Sequence, residues 1–177
     1  AASTPARPEV VETMLPWLAD HPGNPSGAHR EARHARRALD DARDAVAALL
    51  GADPGNVVFT SGGTESNNLI IQGLSPLESP LHVGATEHPS VLEPARSQWK
   101  AGRPGGILPV DGNGRIDQLD AIDGGLVSIQ WVNNETGIVQ DLAQLSHEIH
   151  QRNGILHSDG AQGFFRIPNV IPDKRIN

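Results

Sequence analysis

The 177-residue chain contains no cysteine. Disulfides, thiolate metal centres and a cysteine nucleophile are thereby excluded within these residues, and compartment is only weakly constrained. Basic charge is scarce as well. The formal net charge is −7, so nothing marks a nucleic-acid partner. The arginine-rich stretch Arg30, Arg33, Arg36 and Arg37 is interleaved with Glu31, Asp40 and Asp41 and reads as a solvated helix face. No apolar run approaches the roughly 18 residues of a membrane span. No basic segment followed by an apolar one opens the chain as a secretion signal, so a cytoplasmic protein is expected. Also missing are a Gly-x-Ser-x-Gly elbow, a Gly-x-x-x-x-Gly-Lys phosphate loop and a complete Gly-x-Gly-x-x-Gly fingerprint. Serine-hydrolase and nucleotide-binding chemistry therefore have no footing.

What remains is enough for a domain with a real core: 37% hydrophobic and 20% charged residues. Residues 1–9 read as an extended lead-in, and residues 10–18 as a short helix interrupted at Pro16. Residues 21–27 form a turn cluster, with Ser26 as a fair N-cap. The longest helix candidate follows over residues 28–50, where Ala32, Ala35, Leu39, Ala42, Val46, Leu49 and Leu50 keep three- and four-residue spacing before Gly51. Residues 57–60 read as a strand that runs into Ser61, Gly62, Gly63 and Thr64 and then a helix over 65–72. Further strands are expected at 81–85, 107–110, 126–132 and 155–158. Helices are expected at 91–100, 116–122 and 141–152, the last with Leu142, Leu145 and Ile149 on one face. The expected architecture is α/β, a three-layer α/β/α arrangement around a mostly parallel sheet.

In such sheets ligands sit beyond the C-terminal ends of the strands. Four expected strand ends carry chemistry: the hydroxyl and glycine loop 61–66, Glu87 with His88, Asn133 with Asn134 and Glu135, and Asp159 with Gln162. A loop entering a helix offers unpaired N–H groups and a positive dipole end, so Gly63 and Thr64 form a candidate phosphate cradle. An ordinary capped turn is the plainer alternative. Four such ends together suit a ligand with a phosphate and a flat ring bearing a basic nitrogen. The loop would hold the phosphate, His88 would stack on the ring, and Asn134 and Gln162 would bond a ring oxygen. Asp159 would pair with the ring nitrogen, which describes pyridoxal phosphate. The eight histidines raise a metal site as a rival, through His147 with His150 and His157 with Asp159. Too few ligands converge, and no metal is expected.

Segments 23–26, 59–68, 86–92, 132–140 and 157–162 resemble, in order and near the expected spacing, the cysteine desulfurases. These belong to the class V aminotransferase group of fold-type I pyridoxal-phosphate enzymes. The resemblance implies that residues 1–163 are part of a cofactor-binding large domain, with residues 164–177 a divergent tail and the C-terminal domain absent. It implies that Gly63 and Thr64 bind the phosphate and that His88 stacks on the ring and takes part in proton transfer. It further implies that Asn134 and Gln162 lie beside the ring hydroxyl and that Asp159 holds the pyridine nitrogen. The implied reaction converts L-cysteine to L-alanine and moves the sulfur to an enzyme cysteine. From there the sulfur goes to an acceptor protein for iron–sulfur or thio-cofactor assembly. A homodimer is implied for the full-length family, and neither nucleic acid nor membrane is an expected partner.

Two family features are not found here. The Ser-x-His-Lys stretch that holds the cofactor lysine has no counterpart after Asp159, and Lys174 sits in an unrelated context. The cysteine that attacks the substrate sulfur is also missing. The chain is therefore expected to be a truncated desulfurase-like protein, inactive alone. Selenocysteine lyase or another class V aminotransferase, and a non-catalytic cofactor-binding or scaffold fragment, are the alternatives.

Overall fold

A computed structural model describes residues 4–164 and 166–167. The chain divides into two units, residues 1–59 and 60–177. Lys174 and most of the expected tail lie outside the described residues.

In the first unit, α1 spans Pro8–Ala19 and α2 Arg30–Leu50, followed by a 3-10 turn at Pro54–Asn56. Helix α1 runs through Pro16 rather than stopping there, because proline removes one backbone donor and the flanking turns still pair. Helix α2 starts later than its periodicity predicts. The cap is the His29 side chain, which accepts from Ala32 N, while Ser26 is held in an Asx turn by Asn24. At its other end Gly51 closes the helix in the left-handed conformation, as expected. Only Ala32 and Ala47 are buried among the residues of these two helices.

The predicted strand at 57–60 is not formed. Val58 is 72% exposed and the segment joins no ladder among the described residues. Phe59 instead packs under the Arg43 guanidinium, 5.3 Å from its ring centroid, and Arg43 also donates to Val57 O. Strand propensity without a paired neighbour does not make a strand.

The second unit opens with α3 (Gly63–Gly73) and continues through β1 (Leu81–Gly84), α4 (Pro89–Lys100), β2 (Gly105–Leu108), β3 (Gly125–Ser128), α5 (Leu142–Gln151) and β4 (Gly154–His157). The four strands form one sheet in the order β2-β1-β3-β4, parallel throughout. Alternation along the strands sends Leu81, Val83 and Leu126 to one face, where they pack with Ile71 of α3 and Val91 and Ala95 of α4. Leu108, Val127 and Leu156 go to the other, against Leu142, Leu145 and Ile149 of α5. Helices therefore cover both faces, which is the three-layer α/β/α arrangement.

Two expected elements change. Strand β3 is shorter than 126–132, although Ile129 N and Trp131 N still donate to His157 O and Asp159 O and so carry the β4 segment along beside it. Residues 116–122 are not helical. Ile116, Leu119 and Ile122 are all buried, and Ile116 N is satisfied by the Gln140 side chain. Three-residue apolar spacing there reflects three anchors of an irregular crossover, which mimics a helical stripe.

Candidate functional site

Three strand ends and the start of α3 converge in the second unit. Helix α3 begins at Gly63 with Gly62 in the capping position, and no side chain caps it. Space is open around both glycines out to 4 Å where a β-carbon would stand. The first N–H groups of α3, at Gly63 and Thr64, have no intrahelical acceptor and stand at the positive end of its dipole. The hydroxyl of Ser66, one of those in the loop 61–66, is engaged within the loop itself. It bonds Thr60 Oγ1 at 2.7 Å and lies 3.3 Å from Gly62 O, so it braces the loop. Glu65 folds back to accept from Ser61 N at 2.6 Å, and the Ser61 hydrogen bonds hold its carboxyl below the ordinary value of 4.5.

Beyond β4, Asp159 is 9% exposed and accepts from two directions, from Asn67 Nδ2 at 2.8 Å and from Ala161 N at 3.0 Å. The same Asn67 nitrogen donates to Ser90 Oγ at 2.9 Å, and Ser90 Oγ lies 2.7 Å from His88 Nδ1. A continuous hydrogen-bonded line therefore runs from Asp159 through Asn67 and Ser90 to His88. It joins β4, α3 and α4. His88 and Thr64 also line one shallow groove with Asn68, Ser90 and Glu93.

Asn134 belongs to the loop after β3. Its Oδ1 accepts from Gln130 Nε2 at 3.2 Å, and neighbouring Asn133 donates to Thr86 O at 2.9 Å, which ties this loop to the one before His88. Gln162 follows the turn at Asp159, but its Oε1 accepts from Arg166 and makes no bond to the other predicted residues. The structure thus joins Asp159 with His88 by hydrogen bonds and places Thr64 with His88 in one groove. Asn134 stands on an adjoining loop, and Gln162 is turned toward Arg166.

Three contributors were not singled out by sequence reasoning: Asn67, Ser90 and Ser128. Asn67 and Ser90 carry the line between the two predicted ends. Glu87, expected at a strand end beside His88 but given no task there, forms a second cluster with Ser128. Glu87 is buried and accepts from Gln130 N, with Ser128 Oγ 3.4 Å from its other oxygen. Burial pushes its carboxyl up to about 8, the Asp159 charge adds to the rise, and the two hydrogen bonds oppose it. Ser128 Oγ also lies 2.9 Å from His157 Nδ1, and desolvation lowers that imidazole to about 4 against the pull of Asp159. Buried polar residues were the available signal: Ser128 interrupts an apolar strand, and Asn67 lies one turn before buried Ile71 on α3.

These groups fit pyridoxal phosphate. An uncapped helix start with open glycines matches a phosphate, a carboxylate with lone pairs to spare matches a protonated pyridine nitrogen, and an imidazole on the groove wall matches a ring face. Among the described residues no group of three or more His, Asp or Glu converges as a metal site, and no helix is long and apolar enough to cross a membrane.

Comparison with known proteins follows the same line. The aminotransferase class-V family model matches residues 1–173. Human cysteine desulfurase is 39% identical over 186 residues, covering 99% of this chain and 41% of the human protein. Cysteine desulfurase IscS of Neisseria meningitidis is 39% identical over 187 residues, covering 100% of this chain and 46% of the relative. Among solved structures, SspA in complex with cysteine superposes with a TM-score of 0.84 at 35% identity, covering 92% of this chain and 50% of that one. DndA from Streptomyces lividans gives 0.78 at 34% identity, over 93% and 49%. The chain spans less than half the length of these two curated relatives. Its match to the family model runs nearly end to end, and the chain belongs to the aminotransferase class-V family.

Proposed function

We propose that the chain forms the pyridoxal-phosphate-binding face of a cysteine desulfurase-like enzyme. The reaction would take sulfur from L-cysteine, leave L-alanine, and pass the sulfur through an enzyme thiol to an acceptor protein. The observation that carries the reading is the hydrogen-bonded line from Asp159 to His88 beside the open, uncapped start of α3.

Each residue then has a physical task. The N–H groups at Gly63 and Thr64, aided by the α3 dipole, would hold the phosphate. Asp159, fixed by Asn67 and Ala161 N, would hold the proton on the pyridine nitrogen. When bound, the cofactor supplies an electron-accepting ring. His88 would cover the ring face and place a proton-carrying nitrogen over the reacting amino acid, while Asn134 would orient ring and substrate oxygens. Gln162 would join Asn134 on the ring hydroxyl after turning from Arg166.

The sulfur-accepting thiol is not among these 177 residues, which contain no cysteine. The solved relative bound to cysteine supports L-cysteine as substrate. A homodimer, a sulfur-acceptor protein and a cytoplasmic location belong to the same proposal.

The test is the absorbance of pyridoxal phosphate mixed with the purified 177-residue chain. A displaced band that disappears in Asp159→Ala is expected, whereas an unchanged spectrum at excess cofactor overturns the reading. From L-cysteine this chain alone is expected to release no sulfide. Release at a catalytic rate would overturn the expectation that turnover needs the Ser-x-His-Lys lysine and a cysteine thiol, neither of which this sequence contains.

A further inference from the structure

The contacts of His88 constrain where its ring proton sits. Ser90 N donates to Nδ1 at 3.1 Å, and a backbone N–H has only a proton to offer, so Nδ1 is the accepting nitrogen. Ser90 Oγ stands 2.7 Å from the same atom. Its own role is set one step further on. Asn67 Nδ2 has two hydrogens, and it places one on Ser90 Oγ at 2.9 Å and the other on Asp159 Oδ2 at 2.8 Å. With its oxygen accepting from Asn67, the Ser90 hydroxyl has its single proton free for Nδ1. The Asp159 carboxylate, an acceptor, is what orients the Asn67 amide with its nitrogen inward. Asn67 is 3% exposed and Ser90 9%, so water has little access to compete for these bonds.

We propose that Ser90 and Asn67 are positioning residues that hold the His88 imidazole in the tautomer carrying its proton on Nε2. Two donors converge on Nδ1, and Nε2 takes no part in the line. His88 then presents a hydrogen-bond donor from the groove that it shares with Thr64. Capping of α4 explains the bond from Ser90 N, since His88 is the N-cap of that helix. It does not explain a hydroxyl and a buried amide running on to Asp159. The functional meaning of this tautomer rests on the cofactor reading above. The tautomer itself does not.

The experiment is a long-range proton–nitrogen NMR spectrum of the full chain labelled at histidine nitrogen, recorded above neutral pH, with His88→Gln assigning the His88 signals. Unprotonated Nδ1 and protonated Nε2 are expected, shifted clearly beyond the tautomer mixture of histidine in a free peptide. Ser90→Ala keeps the backbone donor and removes the hydroxyl, so it should move the signals part of the way toward that mixture, and Ser90→Thr should restore them. A proton on Nδ1 in the unaltered chain, or signals matching the free-peptide mixture, overturns the proposal. So does a Ser90→Ala spectrum identical to the original in a chain whose circular dichroism is unchanged. If Ser90→Ala does not fold, the unaltered chain's spectrum decides alone. The expected tautomer without any absorbance change on adding pyridoxal phosphate counts against the cofactor reading only. An absorbance change with Nδ1 protonated counts against the tautomer only.

Discussion

Glu87 precedes His88 by one residue, yet its carboxyl turns inward beneath β3 and stays protonated up to about pH 8. Its ordinary value is 4.5, so between pH 4.5 and 8 the native chain holds a proton that the unfolded chain has lost. Stability from this group therefore falls as pH rises through that window. His157 acts in the other direction. It is neutral in the fold down to about 4 but charged in the unfolded chain below 6.5, so its contribution falls as pH drops from 6.5 to 4. The two slopes oppose each other between 4.5 and 6.5 and leave Glu87 alone above it. The melting temperature is expected to decline from pH 6.5 to 8, and Glu87→Gln should flatten that decline. An equal decline in the variant would assign the effect to other groups. Asn67 can be tested at the same scale. Replacing it by leucine strips a donor from both Ser90 and Asp159, and leaving such buried groups unsatisfied costs about 1–3 kcal/mol in urea unfolding.

At the scale of elements, the sheet depends on devices at the strand starts and helix ends. Gly125 opens β3 at a φ of 79°, and a β-carbon there would lie 2.1 Å from Pro80 O. The strand is that close because Leu126 N donates to the same carbonyl at 2.8 Å. Gly125→Ala combines a strained backbone with a clash against main chain and should destabilise by about 2 kcal/mol or more. Helix α3, which carries the candidate phosphate cradle at its start, is anchored at its far end by buried Arg103. That side chain donates to Ile71 O at 3.1 Å, to Ser79 O at 2.9 Å and to Ser75 Oγ. Arg103→Leu would orphan these acceptors and is expected to cost about 2–4 kcal/mol. By contrast, Arg96→Leu removes only an exposed pair with Glu93 and should cost about 0.5 kcal/mol or less. Equal losses in a urea titration of the two variants would refute the anchoring role.

At the scale of the molecule, the two units differ in how much they bury. The second contains two apolar clusters, one on each face of the sheet. Helices α1 and α2 of the first bury only Ala32 and Ala47, while Val10, Val11, Met14, Leu15 and Leu18 are exposed. Local opening follows buried apolar contact. Amide hydrogen exchange is therefore expected to be fast through α1 and intermediate through α2. In β1 and β3 it should occur only by global unfolding. Uniform protection across residues 8–50 and the sheet would overturn this ranking.

How much of this was legible beforehand varied with the kind of force involved. Local patterns sufficed for α2 with its Gly51 stop, for the helix after Gly63, and for the alternation of strands and helices that implies a covered parallel sheet. These rest on spacing, turn chemistry and capping between near neighbours. Of the candidate site residues, the nearness of Thr64, His88 and Asp159 was legible, because a parallel sheet gathers its strand ends at one edge, whereas the turn of Gln162 toward Arg166 was not. The expected strand at 57–60 failed for want of a ladder partner, and the helix at 116–122 because its apolar spacing serves an irregular crossover. Most dependent on the fold was what joins the residues of the site. Asn67 and Asp159 lie 92 positions apart, and only folding brings the amide against the carboxylate. No periodicity distinguishes Glu87, held protonated by burial, from exposed His88 beside it. Composition and order determined the family, the layers and the polar loops. Tertiary structure decided which of those polar groups are buried and bonded to one another.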